Sequence, residues 1–189
     1  MRHKYETRGI VLSRTPVGEA NALIAVLTPE VGLVRARAQG VRRSGAKLSA
    51  ALATFAESDL VLVRGKEWWR ISGAVLHENW FLRMTEEAVR ERAGRVVGLL
   101  LRLVAGEAQD PALFSIIAGY FKALIEFPEE RHDAIEILAV LRLLTVLGLD
   151  TGGLPKDAEL FTITTFDLIT KNRPTYLARI NQGIVASGL

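Results

Sequence analysis

Apolar and polar positions change their spacing near residue 80. Before that point the apolar residues come in short runs or alternate with a period of two. Residues 9–14 and 21–28 are β-branched or almost wholly apolar. Residues 33–39 alternate, with Val34, Ala36 and Ala38 on one face and Leu33, Arg35, Arg37 and Gln39 on the other. Runs at 60–64 and 68–77 are joined by Arg64-Gly65-Lys66-Glu67, which is hairpin length. Pro29-Glu30-Val31-Gly32 supplies turn chemistry between the second and third runs. Five short strands with one longer connection over residues 40–58 predict a small β-barrel of the OB type. Strand count alone equally permits an SH3-like barrel.

After Trp80 the spacing becomes helical. Thr85 is the expected N-cap of a first helix, with Glu86 and Glu87 in its positive first turn. Val89, Ala93, Val96, Val97, Leu100, Leu101 and Val104 form its apolar stripe. Asp110-Pro111 starts a second helix, whose stripe is Leu113, Ile117, Tyr120, Phe121 and Leu124. A third runs over 133–147 and stops at Gly148. It is apolar almost all round, which places it at the centre of a helical bundle. Residues 160–169 fit helix or strand, because Thr162-Ile163-Thr164-Thr165 is β-branched. Residues 174–184 predict a last helix with Tyr176, Leu177, Ile180 and Ile184 facing inward. The expected architecture is α+β with two domains: an OB-fold barrel over 1–80 and an α-helical bundle over 81–189.

Charge sharpens that division. The 189 residues carry a net charge of +3. Residues 1–80 hold 12 Lys/Arg against 7 Asp/Glu, and the remainder 12 against 14. The first half is therefore the one built to meet an anion. No acid occurs between Glu30 and Glu57, while five bases fall inside that gap. There is no cysteine, which excludes disulfides and thiolate zinc sites and suits a reducing cytoplasm. The first residues lack the apolar stretch of a signal peptide. The longest apolar run, residues 137–149, is interrupted by Arg142 and is shorter than the ~20 residues a bilayer span needs.

The candidate chemistry concentrates in the acid-free gap. Arg35 and Arg37 share a strand face, and Arg42, Arg43 and Lys47 lie in a loop with Gly40 and Gly45. Glycines let backbone approach a ligand closely, and the arginine fork matches phosphate. A solvated face that protects an edge strand is the competing reading. The missing acids favour nucleic acid. The same loop imitates a phosphate-binding P-loop, but Ala46 stands at the lysine position and the magnesium-binding hydroxyl is missing, so nucleotide hydrolysis is rejected. Trp68 and Trp69 point to opposite faces. Burial of both, or cover for the junction with the helical half, is the preferred reading over one exposed platform for a base. His3, His77 and His132 have no ligand spacing, so no metal or other cofactor is expected. Arg142 is the one charge within 137–149. A salt bridge is its default explanation, and a groove for an acidic, aromatic-ended peptide is the functional one. No constellation points to catalysis.

Several of these stretches, taken in order, resemble the bacterial RecO family. They are Thr7-Arg8-Gly9-Ile10-Val11-Leu12, Val17-Gly18-Glu19-Ala20-Asn21 and Leu27-Thr28-Pro29-Glu30-Val31-Gly32-Leu33. Gln39-Gly40-Val41-Arg42-Arg43 and Leu52-Ala53-Thr54-Phe55 follow. The likeness is good over residues 5–78 and looser at residues 110–114 and 143–149. Asn21 replaces a usual acid, Thr54 replaces a common proline, and the four-cysteine zinc module that many members carry after the position of Gly148 is missing. The resemblance implies an OB-fold domain followed by a helical domain. It implies binding of single- and double-stranded DNA, annealing of complementary strands, and recombinase loading onto DNA coated by single-stranded DNA-binding protein. It implies RecR and the acidic tail of that coating protein as partners, and a cytoplasmic, nucleoid-associated place.

The DNA-contacting residues carried over are Arg35, Arg37, Arg42, Arg43 and Lys47, with Arg14 and Arg70 added on charge and strand position. The expected role is a non-enzymatic recombination mediator. The alternative is an OB-fold interaction module of a repair complex that does not itself bind DNA. A membrane-surface protein is disfavoured, since no basic amphipathic helix or lipidation motif accompanies the loop.

Overall fold

Strand β1 (Lys4–Val17) runs further than its apolar centre, because its two halves pair with different neighbours. Residues 4–10 pair antiparallel with β4 (Ala56–Arg64), and residues 10–17 pair with β2 (Asn21–Thr28), with a register shift between Val11 and Ser13. One strand that serves two partners must bend, and the shift is where the ladder absorbs the bend. Gly9 sits at the changeover. A Cβ there would lie 2.7 Å from Val26 Cγ1 and 2.8 Å from Leu60 Cδ1, so a side chain has no room. Strands β3 (Gly32–Ala38) and β5 (Trp69–Asn79) complete a closed barrel in the order β1-β2-β3-β5-β4. The single parallel pairing, β3 with β5, covers only Ala36 to Ala38. The computed structural model describes residues 3–42, 45–66, 68–104, 107–108, 110–150, 152–154 and 160–189.

The barrel interior holds Val34, Ala36 and Ala38, the face expected from alternation, together with Val11, Ile24, Val26, Leu60, Leu62 and Ile71, joined by Val41 and Leu52 from the long connection. Two differences have physical causes. Leu33 belongs to the outer face yet is wholly buried. The first half of β3 has no β5 partner, and Ala108 covers that free edge with Leu33 N donating to Ala108 O at 2.8 Å. Strand β4 begins four residues early, at Ala56, because buried polar residues continue its ladder. Glu57 accepts from Trp80 Nε1 at 2.9 Å, and Ser58 Oγ donates to Ala51 O at 2.7 Å. Buried polar groups with partners are compatible with a strand, and an apolar pattern does not reveal them.

The chain divides into two compact units, one of residues 1–83 and 106–114 and one of residues 84–105 and 115–189. A short helix α1 (Trp80–Arg83) ends the continuous part of the first unit. In the second, α2 (Glu87–Leu103), α4 (Glu129–Val146), α5 (Ile163–Lys171) and α6 (Arg173–Ala186) pack together, with α3 (Pro111–Glu126) beginning in the first unit. Helix α4 contacts α2, α5 and α6 and is buried on nearly every side, the central position its all-round apolarity predicts.

Two cap expectations change. The cap of α2 is Glu86, not Thr85, and it makes no side-chain capping bond. The ambiguous segment at 160–169 resolves as helix, because the Thr162 hydroxyl accepts from Thr165 N and outweighs the β-branched run. In α6 only Ile180 of the four inward candidates is fully buried, while Tyr176, Leu177 and Ile184 are half-buried.

Candidate nucleic-acid interface

Strand register assembles the basic face. Arg37 on β3 lies opposite Leu23 on β2 and beside Arg70 on β5. Adjacent strands are ~4.8 Å apart, so two guanidinium-bearing residues spring from neighbouring positions on one exposed surface. Like charges side by side on a sheet destabilise it unless an anion lies over them. Arg35 projects from the same face of β3 and is half-buried.

The described contacts of Arg37, Arg70, Arg14 and Arg42 position them without cancelling charge. Arg37 lies over the Trp68 ring with Cζ 4.9 Å from its centroid. Arg70 Nη2 donates to Gln39 Oε1 at 3.0 Å. Arg14 Nη2 donates to Val41 O at 3.1 Å, and Arg42 Nη1 donates to Gly18 O at 2.5 Å. Each of these four interactions ends on a neutral group. Arg14 thus reaches the turn that leaves β3, and Arg42 reaches from that turn to the one between β1 and β2. The turn after β3 depends on Gly40, whose φ of 68° belongs to the left-handed region. It is tied by Gly40 N donating to Asn21 Oδ1 at 3.0 Å and Arg42 N donating to Ala20 O at 3.0 Å. Asn21, the departure from a usual acid, does this with a neutral amide and leaves the surface more positive.

Of the seven residues expected from sequence, Arg37 and Arg70 are brought side by side, and Arg14 bonds the turn that carries Arg42. Lys47 is exposed further along the connection. Arg43 lies outside the described residues. Two features were misjudged or missed. The tryptophan pair is not doubly buried. Trp69 is 4 % exposed, with Nε1 donating to Glu107 Oε1 at 2.6 Å, whereas Trp68 is 43 % exposed on the outer surface. Period-two alternation was the available signal, and it did place the rings on opposite faces. Arg64 is a further exposed cation, its Cζ 5.4 Å from the Trp69 centroid. Beside the basic residues a cleft of about 360 Å³ opens between Gln39, Leu48, Val63, Arg70, Ile71 and Ser72.

The helical unit carries its own concavity of about 650 Å³ between α2, α4 and α6. Val96, Leu99, Ile137, Val140, Ile180 and Ile184 give it apolar walls, and Arg92, Arg95 and Arg102 line it from α2. Arg142 is not among its lining residues. Its guanidinium lies 5.3 Å from the Phe161 centroid. His132 is buried with Nε2 2.9 Å from Phe127 O, and His77 lies beside Arg8. Among the described residues no group of three or more His, Asp or Glu is placed to hold a metal. Among the described residues no helix is long and apolar enough to cross a membrane.

Residues 1–80 match the family model described as recombination protein O N terminal. The chain is similar to the DNA repair protein RecO of Gloeobacter violaceus, 29 % identical over 85 % of this chain and 59 % of that protein. It is similar to the protein of the same name from Dehalococcoides mccartyi strain 195, 29 % identical over 65 % of this chain and 48 % of that one. Over 80 residues it is 41 % identical to its Acaryochloris marina counterpart, covering 42 % of this chain and 27 % of that one. The chain spans about half the length of the first two relatives.

Proposed function

We propose, from the match of residues 1–80 to the family model of the recombination protein O N terminal, that this chain acts in DNA repair as a recombination mediator. The observation that carries the reading is the adjacent, in-register Arg37 and Arg70 on an exposed barrel face. Phosphate oxygens spaced along a strand satisfy such a row, and bases remain unread. Single- and double-stranded DNA both present that backbone. Neutralising two backbones on one surface lowers the cost of bringing complementary strands together, which is annealing. Recombinase loading onto DNA coated by single-stranded DNA-binding protein, with RecR as partner, completes the role. The apolar concavity of the helical unit, where Arg92 and Arg95 are already held by Glu136 and exposed Arg102 is a further cation on the α2 wall, is the candidate seat for that coating protein's acidic tail.

The test is fluorescence anisotropy with unrelated single-stranded and duplex oligonucleotides across a salt series. Arg42→Ala combined with Arg43→Ala is expected to weaken all of them about equally and to flatten the log–log salt slope by up to ~2. Unchanged affinity would remove these arginines from the site. Partner binding that survives high salt, with no DNA binding at low salt, would favour the interaction-module alternative.

A further inference from the structure

The basic face holds a tryptophan that phosphate binding does not use. Trp68 precedes β5 and is 43 % exposed, while Trp69 and Trp80 are 4 % and 9 % exposed. An indole left in water forfeits the burial that stabilises the other two. Trp68 is also held in place. The Arg37 guanidinium lies 4.9 Å from its centroid, which restrains a ring that would otherwise sample several rotamers. Arg70, two residues along and in register with Arg37, opens onto the 360 Å³ cleft, whose polar groups are Gln39 and Ser72. A restrained, accessible aromatic ring stacked by Arg37, whose register partner Arg70 opens onto a hollow of nucleotide size, is a place for a base.

The geometry points to Trp68 as the residue by which this face distinguishes single-stranded from duplex DNA, by stacking one unpaired base. The inference rests on the basic face being the DNA site. In a duplex both faces of every base are covered by its neighbours, so only the backbone reaches the arginines. In a single strand a base turns out onto the indole while its flanking phosphates meet Arg37 and Arg70. Stacking of this kind tolerates any base, because each has a π-face.

Four ligands in anisotropy test it on the full chain: an oligothymidine, a mixed single strand, the duplex of that strand, and an abasic strand of equal length. Trp68→Ala is expected to weaken the first two by roughly 5- to 150-fold and to leave the duplex and the abasic strand within about twofold. Trp68→Phe keeps an aromatic face and restores most of the loss. Binding of the oligothymidine should quench tryptophan emission in the native chain, and Trp68→Phe should abolish the quench, because the two remaining indoles are buried. Equal losses on single strand and duplex would make Trp68 a prop for Arg37 and overturn the inference, as would no loss at all. If the native chain binds neither form at low salt, the DNA reading of the face fails first and this inference falls with it.

Discussion

The barrel and the helical unit use arginine in opposite ways. In the helical unit five of the described arginines close on carboxylates. Arg92 Nη1 meets Glu136 Oε2 at 2.7 Å, and Arg95 grips the same carboxylate with two bonds of 2.9 Å. Arg173 takes Asp133 in a fork of 2.7 and 3.1 Å, and Arg131 pairs with Asp167. Arg179 reaches Asp150 at 2.5 and 3.1 Å and also donates to Gly153 O. On the basic face of the barrel the described contacts of Arg14, Arg37, Arg42 and Arg70 end on carbonyls, an amide and a ring. The contrast holds within the barrel too, where Arg8 on β1 faces Asp59, its register partner on β4, at 3.3 Å. A count of bases therefore says little about anion binding. What matters is whether the fold hands each one a carboxylate or a neutral anchor, since the first uses the charge internally and the second leaves it for a ligand.

The largest expected effect tests the internal use. Glu136→Ala leaves Arg92 and Arg95 facing each other across a partly buried site, and should cost about 3 kcal/mol of unfolding free energy in urea. DNA affinity should not move. A loss under 0.5 kcal/mol, of the size of an exposed pair, would dissolve the contrast.

Next comes pH. The Arg179 fork, helped by Gly152 N and the Thr145 hydroxyl, holds the Asp150 carboxyl below its ordinary value, although burial pulls the other way. A carboxylate lowered in the folded state contributes stability above its unfolded pKa of ~3.9 and loses it as pH falls through the folded value. Asp150→Asn should therefore destabilise the helical unit by about 2 kcal/mol at neutral pH and by much less in acid. Thermal unfolding scans from pH 7 down to about pH 3 read the convergence. Parallel curves would show that another group carries the acid response.

The external use is tested by Arg37→Ala with Arg70→Ala. The expected outcome is a DNA dissociation constant raised about tenfold at moderate salt, a duplex salt slope reduced by ~2, and stability unchanged within ~0.5 kcal/mol. A marked fall in melting temperature would instead make these arginines structural. The smallest effect belongs to Lys122, whose ammonium is 3.7 Å from Glu126 one helical turn on. Lys122→Ala should change stability by no more than ~0.5 kcal/mol and leave DNA binding intact, which calibrates an exposed pair against Glu136.

Much of the fold was legible along the chain, because burial on one side imposes a period. Residues 21–28 read as β2 to the residue, and the all-round apolarity of 133–147 placed α4 at the centre of its bundle. Asp110-Pro111 marked the start of α3, where Asp110 Oδ1 accepts from Ala112 N at 2.8 Å. Legibility failed where polar atoms carry the structure. The polar half of β1 is strand because β4 pairs with it, and Glu57 and Ser58 extend β4 because Trp80 and Ala51 satisfy them. Helix α5 overrides its β-branched run through one threonine cap.

The candidate site divides along the same line. By itself the sequence determined that the first half is basic and that the acid-free gap between Glu30 and Glu57 holds a cluster of arginines, because charge and local alternation are properties of the chain. Tertiary structure alone decided that Arg37 and Arg70, 33 positions apart in the numbering, would stand side by side. It alone decided that Trp68 would stay in water while Trp69 was buried, and that Asn21 would tie the turn at Gly40. Strand register is a long-range quantity. It is fixed by barrel closure and by the bend in β1, and no local window of sequence contains both partners of a β3–β5 pair.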